Sequence, residues 1–193
     1  MIVRPALVSD VRRVAELHID RIREGFLPTL GPAFLRRLYR RAVCSPRAFL
    51  FVASADERVM GFVAGVDDLK RFYRSFLIRD GLVAGTVAAP RLIRSLKRTL
   101  ETLRYPGTTD GLPNAELLAV AVDERCAEQG IGRRLVEAAT SAFRERGVAA
   151  AKVVAGAGNT RALRLYEGCG FAPFRTIAVH GRASSEVLVW PSS

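Results

Sequence analysis

The chain has 193 residues, 49% of them hydrophobic and 25% charged, and its 30 Lys and Arg against 19 Asp and Glu leave a net charge of +11. That length suits one domain over residues 1–193 with a sizeable core; no apolar run approaches the roughly 20 residues that span a bilayer, so no transmembrane segment is expected. Three widely spaced cysteines (Cys44, Cys126, Cys169) and two histidines (His18, His180) argue against a disulfide framework or a zinc site, and no metal is expected. The positive charge favours anionic ligands or surfaces without naming one. Basic motifs with interleaved aromatics are missing, so no specific nucleic-acid binding is expected.

Met1-Ile2-Val3-Arg4-Pro5 reads as a short strand ending at a turn, without the features of a secretory signal, and the expected location is the cytoplasm. Ser9-Asp10 offers a helix cap, and Val11, Val14, Ala15, Leu17, His18 and Ile22 follow at helical spacing to about Arg23. Glu24 to Pro28 breaks that helix. A second begins near Pro32, runs through Phe34, Leu35, Leu38 and Ala42, and ends before Ser45-Pro46. Ala48–Ala53 and Val59–Val66 read as a hairpin of two strands.

From about Asp68 to Pro113 the short-element rhythm stops, and two amphipathic helices fit, near Leu69–Ile78 and Arg91–Arg104. Between Leu69 and Tyr105 nine Lys or Arg face two acids. A solvated basic face accounts for that excess, and an acidic or membrane partner is the alternative. This segment is expected to cover the site or to join subunits, so a homodimer is possible. The remainder alternates: strand Ala115–Val122, helix Ile131–Arg146, strand Ala150–Ala155, helix Thr160–Gly168, strand Pro173–Val179, a turn, and strand Glu186–Trp190. Such alternation argues an α/β sheet covered by helices, and the closing hairpin makes the sheet mixed.

Glu128-Gln129-Gly130-Ile131-Gly132-Arg133-Arg134 joins the apolar run Leu117–Val122 to the longest helical pattern. A glycine-rich turn at a helix mouth leaves backbone amides unpaired beside the positive end of the helix dipole, which suits a phosphate. A second segment, Asn159 to Phe171, carries an amide, a phenol at Tyr166 and the Gly170-Phe171 pair. Seven residues is close to two helical turns, so Asn159 and Tyr166 share a face. Taken alone, Asn159 reads equally as a helix cap and Tyr166 as a core aromatic.

These two segments together resemble the GNAT superfamily of acetyl-CoA-dependent N-acetyltransferases, over Glu116 to Phe171. The family's loop pattern is Arg or Gln, two residues, Gly, one residue, Gly or Ala. Gly130 and Gly132 match it, whereas Ala127 stands at the first position. Asn159, Ala162, Leu165, Tyr166, Gly170 and Phe171 match the second segment. The resemblance implies a mixed, mostly antiparallel central sheet flanked by helices, with a helical insertion around residues 68–113. It implies acetyl-CoA as co-substrate, a small-molecule or peptide primary amine as acceptor, and direct attack in a ternary complex. Amides of Gln129, Gly130, Ile131, Gly132, Arg133 and Arg134 would cradle the pyrophosphate. Arg133, Arg134, Arg161 or Arg164 would meet the ribose phosphate.

In a strand like the family's, Val120 and Val122 would offer edge hydrogen bonds to the pantetheine arm, with small Ala119 and Ala121 leaving space. Asn159 would touch the cofactor. Tyr166, with an ordinary pKa of about 10 above a thiol's roughly 8.5, would protonate the departing thiolate. Glu116 is the first candidate for the base, with Asp123 and His18 behind it. Cys126 could form an acyl-enzyme only with a neighbouring base, and none is visible in the sequence.

Two other readings stay open. Val153-Val154-Ala155-Gly156-Ala157-Gly158 follows a strand and opens a helix as dinucleotide-binding loops do, but Arg161 stands at the third glycine position and no acid follows at the ribose distance. A catalytically weak GNAT-like protein that docks an acidic partner is the other, with Ala127 as its sequence hint.

Overall fold

In the computed structural model the described residues are 1–22, 27–56, 58–84, 111–127, 129–179 and 183–191. Strand β1 (Ile2–Pro5) leads into helix α1 (Val11–Arg21), and α2 (Gly31–Cys44) follows. Strands β2 (Ala48–Ala55) and β3 (Arg58–Val66) precede α3 (Leu69–Ala84). Then come β4 (Ala115–Val122), α4 (Ile131–Glu145), β5 (Ala151–Gly156), α5 (Thr160–Glu167), β6 (Ala172–Val179) and β7 (Ala183–Trp190). The expected elements are present with ends moved by a few residues. The helix expected over Arg91–Arg104 lies outside the described residues, as do Arg23 to Phe26.

One local expectation changes at the start of α1. Asp10 does not cap that helix with its side chain; its carboxylate accepts from the Leu7 amide at 2.8 Å and from the Arg4 guanidinium at 2.7 Å. It therefore ties β1 to the turn before α1 and leaves the helix mouth to the backbone.

The seven strands form one sheet in the order β1-β2-β3-β4-β5-β7-β6. Every neighbouring pair is antiparallel except β4 with β5, which is parallel. Helices α1, α2 and α3 bury Val14, Leu17, Leu35, Leu38, Tyr39 and Phe72 on one face of the sheet. Helix α4 buries Ile131, Leu135, Val136, Ala139 and Phe143 on the other, where Tyr166 of α5 joins it. Each helix turns its amphipathic stripe toward the face of the sheet that it covers.

Two features of β4 position the site. Its register against β3 jumps from Ala64↔Ala119 to Gly65↔Leu117, a bulge that leaves Leu118 without an opposite residue. An extra residue reverses the alternation of faces, so Leu117 packs toward α4 whereas Ala119 and Ala121 pack toward α1. The second feature is that β4 pairs with β5 over only three positions, Ala115↔Ala151, Glu116↔Lys152 and Leu117↔Val153. Beyond Leu117 the strands part, and the edge of β4 from Leu118 to Val122 has no neighbour on that side among the described strands.

Close packing beside the bulge requires a glycine at position 65. A Cβ there would lie 2.8 Å from Cε1 of Phe49, its cross-strand partner, whose ring covers the glycine. Phe49 in turn packs edge-on against Phe143 of α4 at 5.0 Å between ring centres. The glycine is what lets that ring lie flat against the sheet.

Candidate active site

The turn that enters α4 has the form its sequence requires. Gly130 sits at the N-cap with φ of +70°, a left-handed conformation that a side chain would strain, and its carbonyl accepts the first helical bond from the Arg134 amide at 3.2 Å. Ahead of that bond, the amides of Gly130, Ile131, Gly132 and Arg133 have no acceptor among the described residues. Gly132 is held close to two other elements: a Cβ there would lie 3.3 Å from Leu165 of α5 and 3.9 Å from Val122 of β4. The free amides, the end of β4 and α5 therefore meet at one place, above the opening between β4 and β5. Gln129, Gly130, Arg133 and Arg134 are exposed around it, Ile131 is buried below, and Glu128 lies outside the described residues.

The glycine loop after β5 is built differently. Its amides are used internally: Ala157 donates to the Ser184 carbonyl, Asn159 to Gly156 and Thr160 to Gly158, at 2.9 to 3.0 Å. Three donors of that loop are therefore engaged within the chain, unlike the consecutive free amides at the mouth of α4. With one parallel strand pair in seven strands, the dinucleotide-binding reading loses both its loop and its sheet.

Asn159 does cap α5. Its Oδ1 accepts from the Ala162 amide at 3.1 Å, which leaves the Nδ2 donors of an exposed side chain for a ligand. Tyr166, two turns on, is 7% exposed and packs on Phe171 with ring centres 5.8 Å apart. Burial, with a smaller contribution from Cys169, pushes its phenol up to about 12, so the proton stays on at neutral pH. Both local readings from the sequence, cap and core aromatic, are thus observed; neither conflicts with a ligand contact. Arg133 is engaged with Glu137 at 2.8 Å on the surface of α4, so Arg134, Arg161 and Arg164 are the less committed guanidiniums nearby.

Glu116 lies on the three-residue stretch where β4 and β5 are still joined. Its side chain is 15% exposed, and Lys152, directly opposite on β5, brings Nζ to 3.3 Å from Oε2. Lys152 also donates to the Pro113 carbonyl at 2.5 Å. Oε2 itself is buried and accepts no well-formed hydrogen bond among the described residues. Burial raises the Glu116 carboxyl above its ordinary value while Lys152 opposes the rise. On the same face, the Tyr73 phenol of α3 is raised by burial and by the Glu116 charge.

The two weaker candidates for the base are committed elsewhere. Asp123 accepts from the Arg125 amide at 3.1 Å and from Arg13 at 2.6 Å, with Arg58 at 3.4 Å. The amide, followed by the arginines, holds its carboxyl below the ordinary range, which makes it a poor proton acceptor. His18 is 1% exposed, shares a hydrogen bond of 2.5 Å with the Tyr39 hydroxyl, and is lowered by burial to about 4. It is a packed neutral imidazole. Cys169 is half-buried, and burial raises its thiol, so it is not a ready nucleophile.

A family model described as the acetyltransferase (GNAT) family matches residues 14–171, most of the chain. The chain belongs to that family. The match begins in α1 and ends at Phe171, so it takes in the parted strands, the free amides and Tyr166 together. Crystal structures with the GNAT fold cover nearly the same length. SsHAT is 24% identical over 100% of this chain and 98% of its own, with a TM-score of 0.74. The ribosomal-protein-S18-alanine N-acetyltransferase of Escherichia coli is 16% identical over 100% and 94%, with a TM-score of 0.62. A chain of the NatC complex bound to Gag peptide and CoA is 14% identical over 100% and 98%, at 0.63. No curated protein sequence matches the chain. Among the described residues no helix is long and apolar enough to cross a membrane.

Within the GNAT fold the structure alters two details of the sequence reading. Ala119 and Ala121 do not leave space beside β4: they are buried under α1, because the bulge turns them to that face. Val120 and Val122, half-buried toward α4, lie on the stretch of β4 whose edge is open. Lys152 is the site residue that the sequence reading missed. Its signal was a single cation inside the apolar run Ala150-Ala151-Lys152-Val153-Val154, a placement that demands a buried partner.

Proposed function

We propose that this chain transfers an acetyl group from acetyl-CoA to a primary amine, by direct attack while both are bound. The observation that carries the reading is the juxtaposition of two unsatisfied backbone features: the edge of β4 beyond Leu117, freed where β5 departs, and the amides of Gly130 to Arg133 at the mouth of α4. A diphosphate fits the amides and the adjoining helix dipole, and an amide-bearing pantetheine arm fits an open strand edge. Acetyl-CoA carries both groups and, when bound, supplies the thioester carbonyl. The net charge of +11 favours the same anionic ligand.

The chain's own residues then handle protons. Glu116, as carboxylate, takes a proton from the acceptor's ammonium group, directly or through water, and its raised pKa brings it nearer to the working pH of a base. Tyr166 keeps its hydroxyl proton at neutral pH and gives it to the leaving sulfur. The Nδ2 of Asn159 and the guanidiniums of Arg134, Arg161 and Arg164 orient the cofactor's polar groups. The raised Cys169 thiol, with no imidazole beside it among the described residues, favours transfer without an acyl-enzyme.

Proteins acting on peptide or protein amines stand among the structural neighbours, so a peptide N-terminus is the first acceptor class to test. The experiment follows thiol release from acetyl-CoA with peptides of varied N-terminal residue, lysine side-chain amines and small diamines. Release stimulated by at least one primary amine, and abolished when that amine is blocked, is the expected result. An unstimulated background across the whole panel, from protein that binds acetyl-CoA, would instead favour the binding-protein reading.

A further inference from the structure

We propose that Lys152 is a positioning residue for the base, holding the Glu116 carboxylate charged and in place beside the opening between β4 and β5. The inference rests on Glu116 being the base as proposed above, and it assigns a role to a residue of β5 that meets no reacting atom. Glu116 and Lys152 are direct partners in the short parallel pairing, so their side chains leave adjacent strands toward the same face. The lysine is 6% exposed, and its ammonium group is fixed at two points: 2.5 Å from the Pro113 carbonyl and 3.3 Å from Oε2 of Glu116. A methionine of similar length would pack in such a strand without any desolvation penalty, so the ammonium is not needed for filling space.

The surroundings leave Lys152 as the group that sets the charge of Glu116. Opposite Glu116 on β3 is apolar Val66. From α3 comes the Tyr73 phenol, and behind it the Tyr39 phenol of α2, both raised by burial and therefore neutral at neutral pH. Among the described residues the cation that pairs with Glu116 is Lys152. Burial raises the carboxyl's affinity for a proton, and the ammonium opposes that rise. When the acceptor's proton arrives on Glu116, the carboxyl becomes neutral and Lys152 loses its counter-charge. That loss favours return of the proton to solvent and restores the base.

The test reads Glu116 without turnover. In protein labelled with 13C at glutamate carboxyls, the Glu116 resonance is assigned by its disappearance in Glu116→Gln, and its titration midpoint is compared with that in Lys152→Met. Lys152→Gln, which removes the charge but keeps an N–H donor on a slightly shorter side chain, is the second variant should the methionine disturb folding. Both are expected to raise the midpoint by about one pH unit or more, a tenfold change in proton affinity. The acid limb of kcat/KM for thiol release should move with it, while KM for acetyl-CoA changes less than about twofold. An unmoved midpoint in a folded variant overturns the role given to Lys152. A midpoint that moves while the acid limb stays in place overturns the assignment of Glu116 as base, and the role of Lys152 falls with it.

Discussion

Replacing Tyr166 by Phe is expected to lower kcat by about 10²-fold or more, the usual worth of a positioned general acid. Phenylalanine preserves the ring against Phe171 and the volume buried between α5 and the sheet, so the thermal midpoint should change little. KM for acetyl-CoA should also hold, because the lost interaction is made in the transition state and not in the ground state. The pH profile adds a second check. A general acid must be protonated, so activity falls as pH rises through its pKa. With the phenol pushed up to about 12, wild-type kcat should show no alkaline limb below pH 10 from this group. An ordinary tyrosine would begin to fail near 10. Wild-type turnover by the Phe variant would remove Tyr166 from the chemistry and leave it a core aromatic.

Glu116→Gln carries the other large expected effect. The amide keeps the shape of the carboxylate but cannot accept the ammonium proton, so kcat/KM at pH 7 should fall by about 10²-fold to 10⁴-fold. The sign with pH is specific. In wild type, activity rises as Glu116 loses its proton and then levels. In the variant only free amine reacts, so the rate should climb about tenfold per pH unit until the acceptor's own pKa is reached. Some stability is lost as well, because Lys152 is left with the Pro113 carbonyl and no counter-charge. Circular dichroism at the assay temperature separates that loss from the chemical one. A variant with the wild-type pH profile would contradict the assignment.

The fold was legible because most of its elements carry their own signals. The apolar run of β4 and the stripes of α1, α2 and α4 are local patterns that read directly as strand and helix. Gly130 and Gly132 announced the turn, since a left-handed cap and a close approach to Leu165 both need the missing side chain. What stayed hidden depends on strand register. Leu117 and Ala119 are two residues apart and ought to share a face; only pairing with Gly65 and Ala64 reveals the bulge that separates them. The parting of β4 from β5 is hidden for the same reason. Nothing in Leu118 to Val122 says that pairing with β5 ends at Val153, because an apolar run is the same for a paired and an unpaired edge. The role of Asp10 was misplaced because Arg4, on a different element, draws the carboxylate away from the helix mouth. Lys152 and Glu116 are 36 residues apart in the chain, and their meeting is likewise a consequence of register.

An amide titration with coenzyme A is the most direct test of the whole account. The 1H–15N resonances of Gly130, Ile131, Gly132 and Arg133 should shift most on binding, together with amides of Leu118 to Val122 along the open edge of β4. Shifts that gather instead at Gly156 to Gly158, or anywhere else with those four amides unmoved, would contradict it.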